Sequence, residues 1–207
     1  MKTFKLFMSV MLLCLAMSGI AQAQNRIADY LYPEGRSTYY IHIDKNKSPM
    51  EKVSVLYERS KEGMRISEDP PIPLIGSIMY KNTPEMTCYI LDITDTTVTA
   101  QAWWTKSIDD TGDKNSRNNL VLLKLPAGKE PITWTTSVNE NGKILQIWEM
   151  SAKRSYMAVE KDGSWIAVPA LEVKRNVFDA DHKPLAGQSV VEYWQQGAGK
   201  VKVVRIK

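Results

Sequence analysis

The alternation of apolar and polar residues with a period of two constrains the fold of this chain more than any other feature. In residues 97–106 the apolar face carries Val98, Ala100, Ala102 and Trp104, while threonine and glutamine prevail on the opposite face. Such a pattern predicts a β-strand with one buried face. It recurs along the chain, whereas helical periodicity is scarce, so we expect an all-β fold of about thirteen strands. The candidates are residues 39–43, 52–59, 74–80, 86–93, 97–106, 120–125, 132–138, 143–150, 155–161, 164–168, 172–178, 189–194 and 200–206.

Turn residues connect several of these strands as sequential neighbours. Asn141-Gly142 and Asp162-Gly163 separate alternating runs, and such pairs readily take the positive φ angles of a type I′ hairpin. Asp95-Thr96 and Gly197–Gly199 indicate two further turns. We therefore expect an antiparallel meander of about a dozen short strands, which forms either a barrel or a two-layer sandwich. The sequence leaves both alternatives open.

Two stretches interrupt the alternation. Residues 68–73 contain Pro70, Pro71 and Pro73, which have no N–H to donate to a ladder, so a loop or an edge is expected there. Residues 107–119 are polar and contain a glycine, which indicates a solvated loop.

The first 23 residues have the composition of an export signal. Lys2 and Lys5 precede a mostly apolar run of 15 residues, and Ala21-Gln22-Ala23 has the small-x-small pattern of a cleavage site. A membrane-spanning helix needs about 20 apolar residues, which is more than this run supplies. Lipid attachment at Cys14 would place the modified thiol in the middle of the apolar run. We therefore predict a cleaved signal peptide over residues 1–23 and a periplasmic or extracellular mature protein.

The remaining chain has the length of one globular domain. Residues 24–207 are 184 in number, enough to bury a sizeable core, and we expect them to form a single all-β domain without a membrane-spanning segment. Residues 24–36 form either a loose N-terminal arm or a segment that docks on the sheet. Ile27 and Tyr30 are among the side chains that favour docking or a short helical turn.

Charge and cysteine content exclude several classes of protein. Without Lys2 and Lys5 the mature chain carries 25 basic and 23 acidic residues, which gives no electrostatic basis for binding nucleic acid. Cys88 is the one cysteine that follows the signal, so no intramolecular disulfide is expected. It lies in an apolar, β-like run, which favours a buried structural thiol over a nucleophile.

The sequence contains no recognisable catalytic motif, and we expect no cofactor and no resident metal. A Gly-x-Ser-x-Gly elbow and a glycine-rich phosphate loop are absent, and one cysteine with two distant histidines offers no zinc spacing. Asp109, Asp110, Asp113 and Asn115 supply oxygen atoms of the kind that calcium prefers, but the glycine and glutamate of an EF-hand are missing. Whether the loop from Asp109 to Asn115 binds calcium is left open.

Tryptophan is the most distinctive part of the composition. All 6 tryptophans fall in predicted strands, where large rings usually pack in a core or across strands. Trp103 and Trp104 are adjacent, so they point to opposite faces of a regular strand and one of them can face a ligand. We therefore take Trp103, Trp104 and Trp148 as candidate ligand-binding residues, with a glycan or an apolar small molecule as the ligand.

These observations favour a non-enzymatic binding or structural module of the cell envelope. The alternative is a glycan-acting hydrolase or a carbohydrate-binding protein that uses strand tryptophans. No pair of carboxylates is marked out for the acid and base roles that a glycosidase needs. A third hypothesis is a subunit whose exposed edge strand pairs with another envelope protein.

One short segment resembles a known module. Residues 177–187, Val-Phe-Asp-Ala-Asp-His-Lys-Pro-Leu-Ala-Gly, are similar to the opening of carboxypeptidase regulatory-like β-sandwich modules. In those modules a glycine usually stands where this chain has His182. The resemblance implies shared turn chemistry, set by aspartate and proline, and no function is carried over from it.

Overall fold

The computed structural model describes residues 26–42, 51–69, 86–105 and 113–206 of the chain. These residues form eleven β-strands and two short 3₁₀ turns, without an α-helix among them, so the all-β prediction is confirmed. The strands in chain order are β1 (Gly35–His42), β2 (Glu51–Ser60), β3 (Gly63–Asp69), β4 (Met86–Ile93), β5 (Thr97–Thr105), β6 (Asn118–Lys124), β7 (Ile132–Glu140), β8 (Lys143–Lys161), β9 (Ser164–Phe178), β10 (Val190–Gln195) and β11 (Gly199–Arg205). The predicted signal peptide lies outside the described residues.

All eleven strands belong to one sheet, in the order β6-β5-β4-β3-β2-β1-β11-β10-β9-β8-β7. Strands that follow each other in the chain pair antiparallel, from β1 to β6 and again from β7 to β11. The pairing of β1 with β11 is parallel. The sheet therefore consists of two antiparallel meanders that are joined by the first and last strands.

Strands β6 and β7, at the two ends of this order, lie against each other and nearly close the sheet into a barrel. Side chains bridge the seam: Thr136 Oγ1 accepts from Val121 N at 3.3 Å, and Trp134 Nε1 donates to Val121 O at 2.9 Å. Asn118 Oδ1 accepts from Asn139 N at 2.5 Å. Because these contacts satisfy backbone groups at the outer strands, the structure favours the barrel over the sandwich.

The alternation located most strands: twelve of the candidates fall in the described residues, where the structure has eleven strands. Two pairs of predicted strands are each one long strand: residues 143–150 and 155–161 belong to β8, and residues 164–168 and 172–178 belong to β9. Proline at position 169 does not end β9, because its backbone groups point away from β8 and its missing N–H takes nothing from the ladder between β8 and β9. The candidate at residues 74–80 lies outside the described residues.

Strand β3 was not predicted. The loop or edge expected at residues 68–73 was placed to begin too early in the chain, because residues 68 and 69 belong to β3. Ile66 and Glu68 point into the barrel from β3, and Glu68 is buried there beside Lys200. An acidic residue at an interior position breaks the apolar alternation, so sequence patterning does not reveal the strand.

The turn predictions are confirmed by backbone angles. Asn141 and Gly142 have φ values of 50° and 76°, and Asp162 and Gly163 have 52° and 76°, as type I′ hairpins require. His182 also has a positive φ of 63°, which accounts for the glycine that similar modules carry at this position.

The segment that follows the predicted signal packs against one end of the barrel. Residues 27–30 form a 3₁₀ turn in which Ile27 and Tyr30 are buried, and the adjacent Tyr32 is buried too. Ile27 N donates to Asp95 O at 2.9 Å, and Gly197 N donates to Asp29 O at 2.7 Å. Residues 27–32 are therefore packed on the barrel, and they join the β4–β5 turn to the β10–β11 turn.

Gly199 allows the ring of Tyr32 to reach its buried position. Gly199 has a φ of +78°, and a Cβ atom there would overlap the Tyr32 ring. Gly199→Ala is therefore expected to destabilise the protein by about 2–4 kcal/mol, through backbone strain and overpacking. Gly197→Ala is the control, because Gly197 has a φ of +77° with nothing within 4 Å, and it should cost only about 1 kcal/mol. Urea denaturation checks this, and equal losses for the two variants would contradict the role of Tyr32.

Candidate functional site

Four charged side chains are buried inside the barrel. Glu68, Arg175, Glu192 and Lys200 come from strands β3, β9, β10 and β11 and form two ion pairs. Lys200 Nζ lies 2.7 Å from Glu68 Oε1. Arg175 Nη2 lies 3.1 Å from Glu192 Oε1, an ion-pair distance without the alignment of a hydrogen bond. Two negative and two positive charges therefore balance in the interior.

Aromatic rings enclose these charges. Lys200 Nζ lies 4.4 Å from the ring centre of Tyr39 and 5.4 Å from that of Trp194. The Arg175 guanidinium lies 4.6 Å from the ring centre of Trp148. Cations are attracted to the faces of such rings, and the attraction is strongest where water is excluded. The rings therefore stabilise the cations that the carboxylates also pair with.

The local electrostatics keep the Glu192 carboxylate ionised. Burial by itself would raise the pKa of Glu192, but the charges of Arg175 and Lys200 and a 3.0 Å hydrogen bond from Trp194 Nε1 bring that pKa below its usual value. Burial raises the pKa of Tyr89, and the charge of Glu68 raises it further, so the phenol stays neutral. A carboxylate held ionised in this way is a poor general acid.

The space between these side chains is small. The cavity bounded by Glu68, Trp148, Arg175, Glu192 and Lys200 has a volume of about 20 Å³, which holds about one water molecule. A sugar or an apolar ligand needs a pocket of roughly 300 Å³ or more. Between these described side chains the interior is therefore a packed core with paired charges.

The structure buries all three predicted contact residues. Trp148 and Trp104 point into the barrel and are 2% and 7% exposed. Trp103 points to the outer face, as the alternation requires, but it is only 5% exposed. Two guanidinium groups cover its ring: that of Arg117 lies 4.4 Å from the ring centre, and that of Arg65 lies 5.5 Å from it. The expected opposite orientation of the adjacent tryptophans is present. Ligand contact at these residues stays a prediction.

A hairpin that extends past the barrel carries the most exposed aromatic residues. Strand β7 pairs with β8 only up to Ala152, and β10 pairs with β9 only from Ala170 onward. Residues 153–155 of β8 still pair with residues 170–172 of β9, and among the described strands residues 156–161 and 164–169 pair only with each other. We call these two segments, with the turn between them, the arm; it is roughly 25 Å long at about 3.3 Å per residue.

One face of the arm is apolar and open to solvent. Tyr156 lies opposite Pro169, Ala158 lies opposite Ala167, and Trp165 is on the same face opposite Glu160. The side chains of Tyr156 and Trp165 are both 72% exposed. Large exposed rings on a protruding element are typical of interaction sites. Sequence reasoning missed this site, because the alternation in β8 and β9 reads like that of any half-buried strand.

The described residues line two open clefts on the surface of the barrel. The first, of about 460 Å³, is lined mainly by amide side chains at the β6–β7 seam: Asn115, Asn118, Asn119, Asn139 and Asn141, with Asp113 and Arg117. The second, of about 490 Å³, lies at the base of the arm and is lined by Arg26, Asp95, Thr96, Leu125, Pro126, Ala127 and Arg154.

The candidate metal loop is only partly described. Asp113 Oδ1 accepts a hydrogen bond from Asn115 N at 3.0 Å, which caps a short 3₁₀ turn, and Asp109 and Asp110 lie outside the described residues. Within the described ranges, no three His, Cys, Asp or Glu side chains converge as metal ligands do. Cys88 is buried with a free thiol, 3.3 Å from Arg65 Nη2. None of the helical segments in these ranges has the length and apolar character to cross a membrane.

Comparisons of the chain with protein-family models, with curated proteins and with solved structures found no match. In the structure, residues 179–183 of the segment that resembles carboxypeptidase regulatory-like modules form a turn. In that turn Asp179 Oδ1 accepts from Asp181 N at 2.9 Å and from Lys183 N at 2.8 Å, which is the aspartate chemistry that the resemblance implies.

Lys200→Met tests whether the interior charges depend on each other. The variant leaves Glu68 buried without its cation, so a loss of about 3–5 kcal/mol in the free energy of unfolding is expected. The control is Lys153→Met, which removes the exposed pair between Lys153 and Glu172 and should cost no more than about 1 kcal/mol. Urea denaturation of both variants provides the measurement, and a small loss for Lys200→Met would contradict this account of the interior.

Proposed function

We propose that this chain is an exported, non-enzymatic binding module of the cell envelope, which contacts its partner through the apolar face of the arm. The observation that carries the proposal is the exposure of Tyr156 and Trp165 on a hairpin that projects from the barrel. Export to the periplasm or the cell exterior follows from the signal-like first 23 residues.

The interior of the barrel supports a non-enzymatic function. Glu68 and Glu192 are the carboxylates at its centre, and each pairs with a buried cation. The space beside them holds about one water molecule, so a substrate has no room there. A glycosidase needs two carboxyl groups on either side of a bound sugar. The paired carboxylates therefore favour a structural role.

The physics of the arm supports a partner. A two-stranded hairpin is marginally stable by itself in water, since neither of its faces is covered by other elements. Here both apolar rings of Tyr156 and Trp165 face solvent, where they gain no burial energy. Aromatic residues that become buried at an interface are frequent contributors of binding energy. A partner that covers this face would stabilise both the contact and the arm.

Site-specific photocrosslinking in intact cells tests the proposal. A photoreactive amino acid at Trp165 is expected to give a discrete crosslinked product, because this side chain is placed in the contact. The same amino acid at Tyr40, which is 41% exposed on β1, serves as the matched control. A product at Trp165 that is absent at Tyr40 supports the proposal. Equal products at both positions, or none at Trp165, would refute it.

A second candidate function is carbohydrate binding at the seam cleft. Amide side chains carry both donors and acceptors, which suits the hydroxyl groups of a sugar. The cleft of about 460 Å³ presents Asn119 and Asn141 at its exposed rim. This candidate keeps the expectation of a glycan ligand but moves the contact away from Trp103, Trp104 and Trp148.

Calorimetric titration with soluble peptidoglycan fragments distinguishes the two candidates. If the cleft binds sugar, Asn119→Ala should weaken the affinity by about tenfold, the equivalent of one lost hydrogen bond. Trp165→Ser should leave that affinity unchanged. If the unaltered protein gives no heat of binding in this titration, carbohydrate binding at the seam cleft is refuted.

A further inference from the structure

We propose that the occupant of the arm's free edge is a second copy of this chain, bound by antiparallel pairing of the two β8 strands around a twofold axis. The inference rests on the proposed function in one respect, since both use the arm. It involves the edge of β8, whereas the proposed partner contact involves the face that carries Tyr156 and Trp165.

The two edges of the arm are not equivalent, because the edge of β9 is closed at Pro169 whereas the edge of β8 carries no proline. Pro169 in β9 has no N–H, and its carbonyl oxygen already accepts from Gln196 N at 2.9 Å. A strand that approached along β9 would find neither a donor nor a free acceptor at this position. Proline on an edge strand is a common protection against such pairing.

The position of Pro169 also defines which groups of β8 are free. Its carbonyl points away from β8, so Pro169 and its partner Tyr156 form a pair without mutual hydrogen bonds. The N–H and C=O groups of Tyr156 therefore point to the outer edge of β8. Because this orientation repeats every second residue, Ala158 and Glu160 present their backbone groups to the same edge.

The charges along this edge suit pairing with an identical strand. A twofold axis at Met157 places Arg154 of one copy opposite Glu160 of the other, and the symmetry produces this contact twice. The same register places Lys153 opposite Lys161. Lys153 is already neutralised by Glu172, with Nζ and Oε1 3.0 Å apart, so the opposite-charge pairs prevail.

The cleft at the base of the arm has the position and the charged side chains to receive the tip of the arm of a second copy. Arg154 Nε donates to Pro126 O at 3.0 Å, which places this cleft beside the open edge of β8. In the antiparallel arrangement the partner's turn reaches this end. The cleft of about 490 Å³ offers Arg26 to the Asp162 side chain of that turn. Oppositely charged groups thus meet at both ends of the paired strands.

Two proline variants at facing positions test the edge. Ala158 and Ala167 lie opposite each other in the arm, and both direct their N–H groups outward, on β8 and on β9 respectively. Analytical ultracentrifugation of the full chain, purified as the cell processes it, should show a dimer for the unaltered protein and for Ala167→Pro. Ala158→Pro should be a monomer at the same concentration, because a central donor of the shared ladder is lost.

Charge reversal provides a second test that does not depend on proline. Arg154→Glu and Glu160→Arg should each weaken self-association by about tenfold, since two attractive pairs become repulsive. The double variant should restore the dimer, because it exchanges the charges within each pair. Circular dichroism of every variant confirms that the barrel is intact.

The results separate this inference from the proposed function. A monomer at every concentration, or equal effects of Ala158→Pro and Ala167→Pro, overturns the second copy as the occupant. A double charge variant that stays dissociated overturns the register at Met157 and with it the charge argument. In any of these cases a crosslink at Trp165 to another protein still supports the proposed function. A dimer without any such crosslink supports the inference and refutes the proposed contact of the arm's face with another protein.

Discussion

The parallel pairing of β1 with β11 is the interaction on which the rest of the sheet depends. Each of the two meanders is built from neighbours in the chain, whereas this pair joins residues far apart, such as Ile41 and Val203. In a ring with an odd number of strands, at least one neighbouring pair has to be parallel. Placing that pair at β1 and β11 leaves β6 and β7 antiparallel, so the side chains of Thr136 and Asn118 can complete the seam.

The buried charges reinforce the same long-range connection. Lys200 comes from β11 and Glu68 from β3, so their ion pair crosses from one meander to the other inside the barrel. Large rings, including Trp148 and Trp194, fill the remaining width and leave about 20 Å³ of space. An ion pair of this kind adds little net stability compared with apolar packing, but a single unpaired member is costly. The arrangement therefore disfavours any other register of the two meanders.

The arm exists because two strands continue after their neighbours end. Strands β8 and β9 keep the same alternation from the barrel into solvent, so the residues that would face the core in the barrel face water in the arm. This continuity places Tyr156 and Trp165 on an exposed face and leaves the outer edge of β8 open. The proposed binding function rests on this projecting hairpin and on the ion pairs that the interior carboxylates form.

The sequence by itself determined the strand periodicity and the tight turns, because both depend on neighbouring residues. The alternation of residues 97–105 and the Asn141-Gly142 pair specify a strand and a type I′ turn wherever they occur. Only the tertiary structure decided that Glu68 lies in a strand, that Trp103 is covered, and that Trp165 is exposed. Burial depends on which distant strand lies alongside, and a period of two is the same in a core strand and in a projecting one. The exposed face of the arm therefore depends on where β7 and β10 end, and no local sequence pattern specifies those ends.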